Sequence, residues 1–556
     1  MRHPGVSVIS LVALLACCVA PAAHAAQKIS CEALAKVVMP DTTATTVQEI
    51  ATGTFRQQSD ANATAPQGAM AAGMGGGAPG ASAPAVGGPP GAGLGAPAAG
   101  GPPGGGAMTG LPKFCRYAGV IAPKINFEVW LPLENWNGRL QGGGNGGLAG
   151  SIGYSGLAEG IKQGYVTVGT DTGHAGDGTE WMNNQQQVID YGSRAIHEMT
   201  VRAKTLIAAL YDQPLKYAYF DGCSTGGGQA LMNIQRYPGD YNGVVAGASN
   251  FNQTKLRAGG HIWTWYALHE TPQSNMSSAQ LKMLNEAVMG KCDALDGVKD
   301  GIINDPRKCS FDAAALVCKA NQNGDSCLNE AQVKAANKIY AGSRNPRTGE
   351  AIWPAYQPGS ETGWGVFSSD SPFGAASTFY RTAVLHDESF DFRKFNFDTD
   401  AEKAEAGYAS ILDATDPDLR PFQKLGGKAV IYHGYVDSMI SPLASIQYYD
   451  SVVDFYAKQN GNSRTNALKE VQSFARLYMM PGVGHCGNGA GPDKIESMKL
   501  LQGWVEKGEA PTNVVASKVS NGQTTMTRPL CAYPQQAVYK GKGDTNVAAS
   551  FECRAP

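Results

Sequence analysis

From about Phe251 to Leu425 the sequence loses the alternation of strand and helix patterns that precedes it, and at Lys428 the alternation returns. Before the break, "NFEVWLPL" (Asn126–Leu133), "GYVTVGTDTG", "KYAYFDG" and "YNGVVAGAS" read as strands. Between them, "SRAIHEMTVRAKTLIAALY" (Ser193–Tyr211) and "TGGGQALMNIQRYP" carry helical spacing, the second stopped by Pro238. After the break, "KAVIYHGYVD" (Lys428–Asp437) and "ARLYMMPGVGHC" read as strands, and Ser445–Gln459 and Lys494–Lys507 as helices. Such alternation builds a mostly parallel sheet covered on both faces. It predicts an α/β fold made of one domain in two parts, 26–250 and 426–556, interrupted by an inserted unit at 251–425.

The N-terminus reads as a secretory signal peptide, residues 1–25. Arg2 and His3 precede the apolar run Val6–Ala20, and Ala23-His24-Ala25 supplies a small-residue cleavage site. A lipoprotein anchored at Cys17 is the alternative. No other stretch offers the ~20 apolar residues a membrane-spanning helix needs. Cys17 and Cys18 leave with the signal, and the other ten of the 12 cysteines form an even set, so a periplasmic or secreted protein with five disulfides is expected. Sequence alone does not fix their pairing. No C-x-x-C occurs and the histidines are scattered, which argues against zinc. The net charge of −2 gives no electrostatic reason to expect nucleic acid or an anionic membrane as partner. From Ala61 to Leu111 the chain is dominated by Ala, Gly and Pro, without charge or aromatic. Such a stretch cannot bury enough apolar surface to offset its ordering entropy, so a disordered insertion between Cys31 and Cys115 is expected. Glycine does not recur at every third position, which excludes collagen.

"FDGCSTGGGQ" (Phe220–Gln229) contains G-x-S-x-G. In a glycine-rich chain the pattern alone marks only a turn with a bystander serine. Here it joins a strand to a helix, the context in which the turn lifts the serine Oγ above the sheet. A nucleophile at Ser224 requires an acid and a histidine at the ends of later strands, and Asp437 and His485 stand there in that order. His485 would take the serine proton while Asp437 holds the imidazole. His433, Asp171 and His174 compete for these roles and read as structural. Cys223 precedes Ser224 and Cys486 follows His485. If serine and histidine are hydrogen-bonded, these neighbours fall within the ~4.4–6.8 Å Cα separation a disulfide requires. A Cys223–Cys486 bridge would then staple the two loops together.

This constellation resembles the tannase and feruloyl esterase family, marked by Cys-Ser, Asp and His-Cys with that bridge. The resemblance runs through "WNGRLQGGGNGG", "TDTGH", "GCSTGG", "CDALDGVKDGIINDP", "YHGYVDSMISP", "PGVGHC" and "TRPLCAYPQ". It implies an α/β-hydrolase core with a lid between Ser and Asp, matching the break at 251–425. The Ala/Gly/Pro-rich insertion is a departure to which the family assigns no role. The backbone N–H of Thr225 and one from "GGGNGG", assigned to Gly146, are expected to form the oxyanion hole. By themselves Asp293, Asp296 and Asp300 read as a solvated acidic loop. The resemblance implies a structural calcium held by these side chains and the carbonyls of Val298 and Ile302. Nearest-neighbour logic pairs Cys292 with Cys309, Cys318 with Cys327, Cys531 with Cys553 and Cys31 with Cys115, and the family pattern is similar.

The inserted unit is rich in aromatics, among them Trp364 and Phe379, which as a set suit a planar aromatic acyl group. Arg381 is a candidate for a substrate carboxylate. The expected activity is a serine esterase of aromatic acids, feruloyl-type, acting through an acyl-enzyme on a small ester, free or attached to polysaccharide. Tannase or mono(2-hydroxyethyl) terephthalate hydrolase activity keeps the chemistry and changes the acyl group. A non-catalytic carbohydrate-binding scaffold is the alternative of another class, and the intact triad argues against it.

Overall fold

The computed structural model describes residues 28–56 and 107–555, apart from positions 177, 321, 323, 462 and 513. The expected signal peptide and the Ala/Gly/Pro-rich stretch up to 106 lie outside the described residues. The end of that expected insertion is corrected. Met108–Leu111 is a strand paired antiparallel with Gly53–Phe55, and Leu111 is buried. Phe55 and Leu111 pack with Phe114 and Trp130, and this burial outweighs the weak strand propensity of "MTGL".

Nine strands form the main sheet: β1 (Thr42–Ile50), β2 (Phe114–Ile121), β3 (Ile125–Pro132), β4 (Arg139–Gly143), β5 (Val166–Thr170), β6 (Tyr217–Cys223), β7 (Gly243–Gly247), β8 (Lys428–Gly434) and β9 (Ala475–Met480). Their order is β1-β2-β3-β5-β4-β6-β7-β8-β9. The β1–β2, β2–β3 and β3–β5 pairs are antiparallel, and every pair from β5–β4 to β8–β9 is parallel. All five residues of β5 and of β7 are buried, as the central strands of a sheet covered on both faces must be. On one face, Met199, Leu206 and Leu210 of the helix Ala195–Leu210 join Leu140, Val168 and Phe220. On the other, Leu501 and Trp504 of the helix Ser497–Lys507 pack with Val245 and Val430.

Strands β7 and β8 are neighbours in the sheet, Gly243 opposite Lys428, yet residues 248–427 intervene between them. The closure entropy of so long a detour grows only logarithmically with its length. The detour builds its own apolar cluster, with Ile262, Trp265, Phe367, Phe379 and Phe395 among its members. Trp181 and Tyr191, which precede β6, join that cluster and seat it on the core.

Five disulfides are present: Cys31–Cys115, Cys223–Cys486, Cys292–Cys309, Cys318–Cys327 and Cys531–Cys553. Among the described residues no helix is long and apolar enough to cross a membrane.

Candidate active site

Ser224 stands between β6 and the helix Thr225–Arg236 with φ +63° and ψ −122°, backbone that a non-glycine residue rarely adopts. Hydrogen bonds hold it there: Ser224 N–H donates to the Gly247 carbonyl at 2.9 Å, and the Ser224 carbonyl accepts from Gly228 and Asn250. The turn is tight enough that a Cβ on Gly222 would come within 2.4 Å of the Gly226 carbonyl carbon. A Cβ on Gly144, in the loop after β4, would meet the Cα atoms of both Gly226 and Gly222 at under 3 Å. Three glycines therefore let the loop after β4 lie directly against the serine turn.

That loop is pinned by a side-chain amide pair that sequence reasoning missed. Asn145 N–H donates to Gln229 Oε1, Gln229 Nε2 donates to Asn145 Oδ1, and Asn145 Nδ2 donates to the Thr170 carbonyl. The Gly147 carbonyl accepts from Thr225 Oγ1 at 2.7 Å and from the Tyr191 hydroxyl at 3.1 Å. The segment holding Gly146 thus lies against Thr225, the first residue of its helix, where backbone N–H groups have no intrahelical acceptor.

Asp437 lies just beyond β8 and His485 beyond β9. His485 Nδ1 meets Asp437 Oδ2 at 2.8 Å, while Asp437 Oδ1 accepts from the backbone N–H groups of Met439 and Ile440. Burial drives the His485 pKa down, but the charge and hydrogen bond of Asp437 outweigh it and leave it above the ordinary histidine value. Burial pushes the Asp437 carboxyl up, yet His485 and His433 together hold it well below the ordinary carboxylate range. With Nδ1 bound to the carboxylate, His485 keeps Nε2 to take a proton. The Cys223–Cys486 bridge, Cα atoms 5.9 Å apart, ties the residue before Ser224 to the residue after His485. The bridge and the Asp437–His485 pair thus set a carboxylate-bound imidazole on a loop tied to the serine turn.

The family model described as tannase and feruloyl esterase matches residues 109–554. The chain belongs to that family. An uncharacterised esterase of Xanthomonas campestris is 35% identical over 492 residues, covering 80% of this chain and 85% of that protein. Feruloyl esterase B of Aspergillus niger is 32% identical over 445 residues, covering 77% of this chain and 83% of that protein. Among solved structures, feruloyl esterase B from Aspergillus oryzae superposes with a TM-score of 0.80 at 31% identity, covering 94% of this chain and 99% of that one. The fold is that of an α/β hydrolase, and the chain is a carboxylic ester hydrolase of this family.

The other candidate residues, and Asp171 and His174, which the sequence reads as structural, are held by their neighbours. Trp364 is fully buried, its Nε1 donating to Ser360 Oγ, and packs inside the inserted unit. Arg381 donates to the Phe390 carbonyl at 3.1 Å and lies over the Phe392 ring. Phe379 is buried beneath the guanidinium of Arg257, 4.3 Å from its ring centre. Asp171 is buried and accepts from Asn126 and Gly173, and His174 stacks on Trp181 at 4.2 Å.

Two further residues escaped the sequence reading. Arg257 and His261 lie four apart on a π-helical turn, Leu256–Ile262, a distortion frequent at functional sites. Arg257 Nη2 donates to Gln253 Oε1, while Nη1 is buried without a partner. His261 Nε2 meets the Met439 carbonyl, and its buried Nδ1 has no partner. Burial holds its pKa down at about 4, and the nearby charges of Arg257 and His485 add to that. A charged and a titratable residue inside the apolar run "LRAGGHIW" were the available signal.

In the acidic loop, Asp293 accepts from the backbone N–H groups of Asp300, Gly301 and Ile302. Asp296 accepts from Val298 N–H, and Asp300 pairs with Arg528 at 2.5 Å. Burial raises the Asp296 and Asp300 carboxyls, and neighbouring carboxylates add to it. Asp296, Asp300 and Ile302 line a cavity of about 10 Å³. Its oxygen donors are of the kind a calcium ion takes. Against that, no three of the described His, Cys, Asp or Glu side chains converge closely enough to hold a metal, and Arg528 already neutralises Asp300.

Proposed function

We propose that this protein hydrolyses esters of aromatic acids of the feruloyl type, with Ser224, His485 and Asp437 as its triad. The observation that carries the reading is the 2.8 Å Asp437–His485 pair, clamped through Cys223–Cys486 to a serine held at φ +63°. Ser224 Oγ attacks the ester carbonyl as His485 Nε2 takes its proton. The oxyanion is met by backbone N–H groups at Thr225 and Gly146, each donor worth about 3–4 kcal/mol. Collapse of the tetrahedral intermediate expels the alcohol, which leaves with the proton from His485 and with an acyl-enzyme behind it. Water then gives a proton to His485, attacks the acyl carbonyl and frees the acid, and the proton returns to Ser224. The feruloyl preference is carried over from the name of the Aspergillus enzymes at 31–32% identity.

Residues 251–425 act in this reading as the lid over the acyl pocket, with the buried His261, against the Met439 carbonyl, and Arg257, joined through Gln253 and Tyr191 to Gly147, closest to the chemistry. Calcium is proposed as a structural ion at Asp293, Asp296 and Asp300 with the Val298 and Ile302 carbonyls, where it would supply positive charge to the carboxylates and no catalytic step. Export to the periplasm or beyond is proposed from the five disulfides and the N-terminal sequence. The test is free-acid release from methyl ferulate, methyl gallate and mono(2-hydroxyethyl) terephthalate, with Ser224→Ala as control. Serine-dependent release of ferulate supports the reading; release of gallate or terephthalate alone replaces the acyl group, and no release from any rejects the aromatic acyl pocket.

A further inference from the structure

Asp437 Oδ1 accepts from the Met439 and Ile440 N–H groups at 2.8 and 2.9 Å. The Ile440 N–H and the Met439 carbonyl are the two ends of one planar peptide group. Whatever binds that carbonyl therefore orients and polarises the donor to the carboxylate. Two side chains bind it. His261 Nε2 and the Tyr356 hydroxyl each lie 3.0 Å from the Met439 carbonyl oxygen. A carbonyl oxygen has two lone pairs, and these donors take both. Facing an acceptor, His261 Nε2 carries the hydrogen, which leaves Nδ1 bare and without a partner. His261 is 4% and Tyr356 3% exposed, so water does not stand in for either donor.

Both donors come from the detour between β7 and β8, and further contacts seat the detour on the same loop. Ser441 Oγ donates to the Ala355 carbonyl at 2.6 Å. A Cβ on Gly363 would collide with Ser438 Oγ, so that segment lies directly on Ser438. The Met439 side chain packs against both the apolar cluster of the sheet and that of the detour. The ionisable groups facing Asp437 are His485 from beyond β9, His433 from β8 and, through Met439, His261 and Tyr356. Burial keeps the last two neutral, holding His261 down at about 4, with the Arg257 charge adding to it, and Tyr356 well above the ordinary phenol value.

We propose that His261 and Tyr356 are positioning residues for Asp437: by holding the Met439–Ile440 peptide they set the Ile440 bond to the carboxylate, and with it how strongly Asp437 holds the His485 proton. The consequence for turnover rests on the triad proposed above; the effect on the Asp437–His485 pair does not. The experiment follows the His485 titration by NMR in full-length protein isotope-labelled on histidine, and kcat/KM against pH on methyl ferulate. The variants are Tyr356→Phe, His261→Leu and His261→Gln, each checked for a cooperative melt. The first two each remove one donor, weaken the Ile440 bond and leave more negative charge on Asp437. The His485 titration and the acid limb of kcat/KM should both move up by about 0.2–0.5 pH unit in each, and by about twice that in the double variant. His261→Gln, whose Nε2 reaches the place of the imidazole Nε2, should shift less than His261→Leu. Tyr356→Phe deletes one oxygen and keeps the ring beside Phe367, so it tests the proposal even where His261→Leu does not fold. A raised His485 titration without turnover of methyl ferulate would keep the brace and remove the feruloyl reading. A His485 titration that is unmoved or lowered in folded Tyr356→Phe, with an acid limb that does not rise, would overturn the brace.

Discussion

His433 Nε2 lies 3.0 Å from Asp437 Oδ2, the same carboxylate oxygen that His485 Nδ1 meets at 2.8 Å. Because Nε2 also faces the Ile440 carbonyl, an acceptor, it carries the hydrogen, and Nδ1 accepts from Ser445 Oγ. His433, fully buried at the end of β8, therefore braces the acid of the proposed triad.

Removing that brace should move the pH profile as well as stability. His433→Leu takes a donor from Asp437, so the carboxylate attracts the His485 proton more strongly and the acid limb of kcat/KM shifts to higher pH. Leaving buried acceptors unpaired should cost about 1–3 kcal/mol of stability. An unshifted limb in a folded variant would reduce His433 to a packing residue.

The proposed mechanism requires neutral His485, so kcat/KM should rise with pH through a group titrating above the ordinary histidine value. Asp437→Asn should move that limb down and lower kcat by about four orders of magnitude. The raised His485 pKa contributes stability that is fully present below its unfolded value and is lost as pH rises through the folded one. The depressed Asp437 pKa contributes stability present above its unfolded value and lost as pH falls toward the folded one. Chemical denaturation across pH should thus show the pair's full contribution between about pH 4 and 6.5.

Two disulfides separate stability from catalysis. Replacing Cys531 and Cys553 by serine should lower stability by about 2–5 kcal/mol with little change in kcat, because that bridge lies in the C-terminal segment. Replacing Cys223 and Cys486 should lower kcat as well, since it frees the His485 loop from the serine turn. Equal kcat in the two double variants would refute the clamp.

Gly144→Ala places a Cβ 2.7 Å from Gly226 Cα and should push the loop after β4 off the serine turn. The expected loss in kcat is about 10²–10³, that of one oxyanion donor. Gly156→Ala, in the helix Tyr154–Lys162 with nothing within 4 Å of the new Cβ, should instead stabilise by roughly 0.5–1 kcal/mol. Kinetics and thermal melts of both variants check the contrast.

Calcium added to chelator-treated protein should raise its unfolding temperature. Asp296→Asn should abolish the response, since it keeps an acceptor for Val298 N–H and removes only charge. A melt indifferent to calcium would leave the loop to the counter-charge that Arg528 supplies at Asp300.

The order of elements was legible because it depends on local pattern. Apart from β4, whose RLQGG carries no apolar run and was not legible as a strand, the strands of the parallel half of the sheet are short apolar runs, and Ser224, Asp437 and His485, the proposed triad, each follow one. The long detour between β7 and β8 shows in the chain in the same way, as a loss of period. What the chain could not disclose is which distant side chains share one enclosed space. Asn145 and Gln229 are 84 positions apart and meet only because three glycines let two turns touch. Met108–Leu111 reads as part of a low-complexity stretch and becomes a strand because Phe55, Phe114 and Trp130 offer it an apolar face. Trp364, Arg381, Arg257 and His261 were equally plausible pocket residues by type. Burial and hydrogen-bond satisfaction separate them, and these arise only when the inserted unit closes over the sheet and removes water from one set of polar atoms while supplying partners to another.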